Sequence, residues 1–241
     1  MTRNVKQLSR MFHVYDRMNV AKYIKSLSPI HYWSLNETTG NVARDQGSGE
    51  VDGTYSGSGI TRGVSTPYGA GFRVSVNADQ VNCGDAADSP FTELTISALI
   101  KADNFTVGRW RTPLHRNNGT SVGSSVFFIG TETGAPNQIV ATIGSGFGAS
   151  GYMAGATGIN AIVDTWYYIV AAWDGTTVRV YVNGNEEATY SYAGQLTNKV
   201  AVTRIGTSGS YHWNGIIDEI AIWDKGLSVK KIKKLTKLMK I

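Results

Sequence analysis

Residues Thr165 to Gly184 read Thr-Trp-Tyr-Tyr-Ile-Val-Ala-Ala-Trp-Asp-Gly-Thr-Thr-Val-Arg-Val-Tyr-Val-Asn-Gly, and this stretch decides the fold. Trp166 to Trp173 and Thr177 to Val182 are short runs rich in β-branched and aromatic residues, which fit a pleated, half-buried surface. Between them stands Asp174-Gly175, a two-residue hairpin signal that predicts positive φ at both turn positions. Asn183-Gly184 repeats the signal one strand later. Working outward, further runs of the same kind are Leu94–Ile100, Ser125–Ile129, Gln138–Ile143, Val200–Ile205 and Gly215–Trp223, separated by glycine-rich turns. Strands at this spacing, with no helical pattern between them and no repeat of fixed period, predict an antiparallel sandwich or barrel.

The two ends are written differently. Val5, Leu8, Phe12, Tyr15, Met18 and Ile24 fall near a helical stripe, with Asn4 placed to cap it and Pro29 just beyond, so residues 1–28 are expected to form a helical arm. At the other end Val229, Ile232, Leu235 and Leu238 or Met239 return to helical spacing behind Ser228, a suitable N-cap, with lysines on the opposite face. Residues 29–241 then form one domain that includes this basic helix.

The net charge of +5 hides a division. Residues 1–28 hold six basic side chains and one acid, and residues 225–241 hold seven lysines and no acid. The body between them has ten basic and seventeen acidic residues, a charge of −7. A nucleic-acid-binding domain carries its basic stripe on the body, so no nucleic-acid partner is expected. No run approaches the ~20 apolar residues that cross a bilayer, and the amino-terminal residues lack the apolar core of a secretory signal, so neither a membrane span nor classical secretion is expected. The single cysteine, Cys83, excludes an internal disulfide framework.

The strands in order resemble the laminin-G-like jelly rolls of the concanavalin A-like lectin/glucanase superfamily. Residues 165–184 are similar to the family's central hairpins. Arg204-Ile-Gly206, Trp213–Trp223 and Gly226-Leu-Ser228 are similar to its closing strand and the lead into a short helix. His31–Gly40 with Asp45 and Gly47 looks like the opening strand and its loop, and Phe91–Lys101 like another core strand. Gly71–Asn77 departs from the usual pattern, which leaves its pairing open. The resemblance implies an all-β, concanavalin A-like antiparallel β-sandwich (jelly roll) with short N- and C-terminal helices. This fold hosts lectins, hydrolases, adhesion modules and virion proteins alike.

Chemistry is sparse. The β-glucan hydrolases of the superfamily carry an E-x-D-x-x-E strand whose alternate acids act as nucleophile and acid/base, and no such triplet occurs here. Asp218-Glu219 and Glu186-Glu187 are adjacent pairs, and neighbours on a regular strand point to opposite faces. Gly119-Thr-Ser121-Val-Gly123 matches a nucleophile elbow by letters alone, in a β context with no helix to follow. The four histidines, His13, His31, His115 and His212, have no metal spacing. No enzyme is therefore expected.

Two candidate sites remain. The resemblance places Asp45 and Asp218 where related domains hold calcium with loop carboxylates, so a Ca2+ site is one expectation. The bland alternative makes Asp45 an Asx-turn acceptor and Asp218 an anchor for a turn or backbone amide. Tyr152, Tyr192, Tyr211 and His212, beside glycine-rich loops, are the candidate carbohydrate-binding residues, since aromatic faces stack on sugar rings. Trp213, in the same segment, equally suits the core.

Together these point to a non-catalytic structural or adhesion protein displaying a lectin-like jelly roll. The opening Ala21–Trp33 resembles the lead-in of phage proteins of the superfamily, which implies a bacteriophage virion component: a capsid decoration, head fibre or tail-associated protein. Such a protein is assembled in the host cytoplasm and surface-exposed on the particle. Its partners would be other virion proteins, or copies of itself, through the terminal arms, and cell-surface glycans through the jelly roll. The alternative is a free-standing carbohydrate-binding lectin.

Overall fold

The computed structural model describes residues 19–88, 90–106, 110–117, 125–132, 137–144, 155–194, 196, 201–208 and 211–241. Two antiparallel sheets face each other. The back sheet runs β14 (Asn185–Ser191), β13 (Thr177–Val182), β12 (Trp166–Trp173), β7 (Leu94–Ala102), β16 (Gly215–Trp223), β5 (Gly69–Val74) and β4 (Thr61–Thr66), with β1 (His31–Trp33) also paired to β16. The front sheet runs β11 (Ala156–Asn160), β10 (Gln138–Ile143), β9 (Ser125–Glu132), β8 (Trp110–Asn117), β15 (Val202–Ile205), β6 (Gln80–Asn82), β3 (Gly53–Ser56) and β2 (Val42–Ala43). The expected all-β sandwich with short terminal helices is the observed architecture.

Side-chain alternation explains the core. On β7, Leu94, Ile96, Ala98 and Ile100 point inward; on β12, Tyr167, Ile169, Ala171 and Trp173 do the same. Facing them across the sandwich are Phe127, Ile129, Ile139, Ala141 and Ile143 of the front sheet. Burying such apolar area at about 25 cal/mol per Å2 is the main force holding the two sheets together. Cys83 lies in this core, and burial pushes its thiol well up.

The deciding stretch 165–184 is apolar at nearly every position because β12 is buried on both faces. Its outward residues Tyr168, Val170 and Ala172 meet Leu99, Tyr32 and Trp223 in a second core. That core is covered by two helices: α1, whose described residues are 19–26, and α2 (Val229–Met239). Val20, Ile24 and Leu27 come from the first helix and its end, and Ile232, Leu235 and Met239 from the second. A sheet covered on both sides reads as a continuous apolar run rather than an alternating one.

The structure locates part of the amino-terminal segment and corrects the expected turn at Asp174-Gly175. Of the expected arm, residues 1–28, residues 19–27 lie on the back sheet, with Val20 and Ile24 fully buried. Residues 1–18 lie outside the described residues. At the first hairpin the amide of Asp174 donates to the Thr177 carbonyl, so the turn residues are Gly175 and Thr176, and Gly175 alone has positive φ (91°). This is the pattern of a type II′ turn. The Asp174 carboxylate accepts from the amides of Thr176 and Thr177, which displaces it from the turn. Asn183 and Gly184 do both have positive φ, 49° and 83°.

Candidate functional site

On β9, Phe127 and Ile129 point into the main core, so Phe128 points out of the front sheet; on β10, Ile139 and Ala141 send Val140 outward in the same way. Trp110, Phe128 and Val140 form a buried apolar cluster on this outer face, with Ala156 and Tyr211 packed against it. Trp110 meets Phe128 edge-on (6.4 Å, 88°), and His115 meets the same ring at 5.8 Å and 83°. A Cβ on Gly130 would overlap the Phe128 ring and the Arg111 carbonyl, so glycine there lets the ring lie down on its own strand.

Polar groups border the aromatics. Phe128 faces His115 on one side and Thr142 on the other, and Trp110 faces Glu132. The Thr142 hydroxyl is buried and has no hydrogen-bond partner among the described residues. Arg204 pairs with His115 across β15 and β8 and donates to Asn117 Oδ1 at 3.3 Å. Burial, with Arg204 adding to it, lowers the His115 pKa to about 3, so the ring is neutral. Aromatic faces ringed by hydroxyl, amide, guanidinium and carboxylate groups are the chemistry of carbohydrate recognition: rings stack on sugar C–H faces and polar groups bond the hydroxyls.

Of the residues singled out from sequence, Tyr211 belongs to this cluster and is half-buried in it. Its neighbour His212 bridges to Thr207 and is buried, with its pKa lowered by desolvation. Tyr192 does something else. It seats its ring on Gly144, where a Cβ would overlap it, and packs edge-on against Trp173 (5.3 Å, 60°), whose Nε1 donates to the Tyr192 carbonyl at 2.8 Å. Tyr192 therefore closes the end of the core. Tyr152 lies outside the described residues. Trp213 fills the core.

Asp45 and Asp218 are not brought together by any shared partner. Asp45 Oδ1 accepts from the amides of Tyr32 and Gly47 at 2.8 Å each, and Oδ2 accepts from Val51 N (2.9 Å) and His31 Nδ1 (2.6 Å). Burial pushes this carboxyl up, but those hydrogen bonds outweigh it and leave the pKa below the usual carboxylate value. His31 Nε2 accepts from Ala87 N at 2.9 Å, which assigns the proton to Nδ1. Asp218 sits at a bulge in β16, where Glu219 has φ 50°. The bulge brings both carboxylates to the helix-covered face: Asp218 accepts from Thr66 Oγ1 (2.7 Å), and Glu219 from Tyr32 OH (2.5 Å). The expected opposite orientation of the pair assumed a regular strand. A calcium ion needs six to eight oxygens turned toward it. Asp45 turns its oxygens to N–H donors and Asp218 is wholly buried, so these two residues do not fit such a site. No group of three His, Cys, Asp or Glu among the described residues is close enough to hold a metal.

A cleft of about 540 Å3 lies elsewhere, at one end of the sandwich, bordered by His31, Val51, Asp85, Asp88, Phe91 and Asp224. Asp88 there is paired with the buried Arg116, and both His31 nitrogens are engaged by Asp45 and the Ala87 amide, so these two groups serve the loops.

The laminin G model of the concanavalin A-like lectin/glucanases superfamily matches residues 75–233, about two thirds of the chain. The chain belongs to this family. No curated protein matches it significantly. Among solved structures it is similar to domain 4 of AbnA, an extracellular arabinanase of family GH43 from Geobacillus stearothermophilus, crystallised with arabinotriose. The identity is 17%, over 87% of this chain and 98% of that one, with a TM-score of 0.62. It is also similar to the binding domain of Paraclostridial Mosquitocidal Protein 1 (13%, 88% and 52%, TM-score 0.65). A third is Trypanosoma rangeli sialidase (15%, 86% and 32%, TM-score 0.61), of whose length the chain spans about a third. At these identities the likeness is one of fold.

Sequence reading missed Trp110, Phe128 and His115. The available signal was parity: Phe128, Gly130 and Glu132 alternate with the core residues Phe127, Ile129 and Thr131, so an aromatic and an acid share the non-core face of one strand.

Proposed function

We propose that this protein is a non-catalytic carbohydrate-binding module that uses the outer face of its front sheet. The observation that carries this reading is the half-buried Tyr211, seated on the buried Trp110–Phe128–Val140 cluster of a sheet face that needs no such residues for the main core. Two-carboxylate hydrolysis needs a pair of acids flanking one bond. The strands of the front sheet contain one carboxylate, Glu132. The AbnA domain, crystallised with arabinotriose, makes that oligosaccharide the first probe, followed by a glycan panel.

Binding measured by calorimetry should fall roughly tenfold or more in Tyr211→Ala, as the loss of a stacked ring implies, and in Trp110→Ala, which removes part of the cluster on which Tyr211 rests. Tyr192→Ala should lower the melting temperature and leave affinity per folded molecule unchanged. Equal affinity in all four proteins would reject the front-sheet site. Steady release of reducing ends from any bound glycan would reject the non-catalytic reading.

The finer reading is that the module is displayed on a bacteriophage particle, anchored by its terminal segments. The support for it is the division of charge between basic ends and acidic body, and the resemblance of the opening segment. Antibody labelling of purified particles tests it, and a protein that is monomeric and binds glycans unaided would favour the free lectin.

A further inference from the structure

α1 and α2 lie side by side on the back sheet: Lys234 Nζ of α2 stands 4.3 Å from the centre of the Tyr23 ring of α1. The buried stripe of α2 is Ile232, Leu235, Thr236 and Met239. At 100° per residue, Lys230, Lys234 and Lys237 fall on the line opposite that stripe, with Lys231 and Lys233 flanking it, and all five are exposed. Lys22 and Lys25 of α1 are exposed and likewise turned away from Val20, Ile24 and Leu27. No acid occurs in residues 19–28 or 225–241, and none of these seven lysines makes an ion pair with another of the described residues. One side of an otherwise acidic molecule is thus a lysine surface two helices wide.

We propose that this helix-covered back is an electrostatic docking face for an anionic lipid bilayer, engaged by the exposed lysines of α1 and α2. This goes beyond the glycan site, which occupies the opposite sheet. Several lysines clustered on an amphipathic helix are the recognised means of attraction to anionic headgroups. The apolar stripes of both helices are already used against Tyr168, Leu99 and Tyr32, so the helices lie on the surface and do not insert. Base-specific readout of a duplex relies mostly on planar, bidentate groups such as those of Arg, Asn and Gln. α2 presents lysine alone, as point charges suited to a diffuse array of headgroups. The acidic body, repelled by the same surface, fixes which side faces it.

The test is co-sedimentation of the full chain with phosphatidylcholine vesicles and with vesicles containing phosphatidylglycerol. The expected result is capture by the anionic vesicles alone, with release by high salt. Substituting Lys230→Glu, Lys233→Glu and Lys237→Glu together should lower partitioning roughly tenfold or more, while Arg at the same three positions should retain it. Equal capture by neutral vesicles, or full capture of the Glu variant, overturns the proposal. So does retention on duplex DNA with no capture by either vesicle. Should circular dichroism show the Glu variant unfolded, the salt titration of the unsubstituted chain decides, and capture indifferent to salt overturns the proposal.

Discussion

His115 shows how one residue couples the site to the fold. It is fully buried, rests edge-on against Phe128, and is held neutral by burial and by the nearby Arg204, with a pKa of about 3. In the unfolded chain the same group titrates near 6.5. Because the folded value is the lower one, the unfolded chain takes up a proton that the folded chain refuses, so the neutral ring stabilises fully above 6.5. That stability is lost progressively as pH falls from there toward 3. At about pH 5 the loss from this group should be ~2 kcal/mol. His115→Gln should flatten the acid limb of a melting-temperature profile between these values; an unchanged limb would show that other groups set it. In sequence His115 was one of four scattered histidines, and no spacing distinguished it, since its role comes from strand pairing with Phe128. Asp45 was singled out as a calcium ligand, whereas the donors around it are three backbone amides and His31 Nδ1, an arrangement that no side-chain pattern displays.

Among elements, the strands were legible because glycine turns and β-branched runs act locally: the expected Trp166–Trp173 and Thr177–Val182 are the observed β12 and β13. Residues Gly71–Asn77, whose pairing stayed open, hold most of β5, which pairs with both β4 and β16. What the sequence left open was how the amino-terminal stripe contributes to the layer above the back sheet. Both terminal stripes were visible, yet whether a stripe docks or projects depends on what the sheet offers it, and the apolar outer face of β12 was the clue. The prediction for α1 follows. Ile24 is fully buried in the second core, so Ile24→Ala should cost about 2–5 kcal/mol in denaturant unfolding. Removal of residues 1–28 should uncover Tyr32, Leu99 and Tyr168 and cause dye binding and aggregation. A soluble deletion protein with unchanged stability would restore the view of this segment as a separable arm.

At the scale of the whole molecule the two proposed surfaces lie back to back. The aromatic cluster stands on the outer face of the front sheet and the lysines on the helices that cover the outer face of the back sheet, with the main core between them. Neither surface shares a residue with the other, so occupation of one leaves the other open. Two sites this far apart, without a shared mobile element, should bind independently, and linkage then requires that each ligand leave the affinity of the other unchanged. The expected outcome is a bridge: protein adsorbed on phosphatidylglycerol vesicles should capture a fluorescent glycan with the affinity measured in free solution. Tyr211→Ala should abolish glycan capture without detaching the protein, and the triple Glu substitution in α2 should detach it without weakening glycan binding in solution. Competition between vesicle and glycan for the same protein would mean that both ligands use one face, and would exclude the back-to-back arrangement as the working geometry.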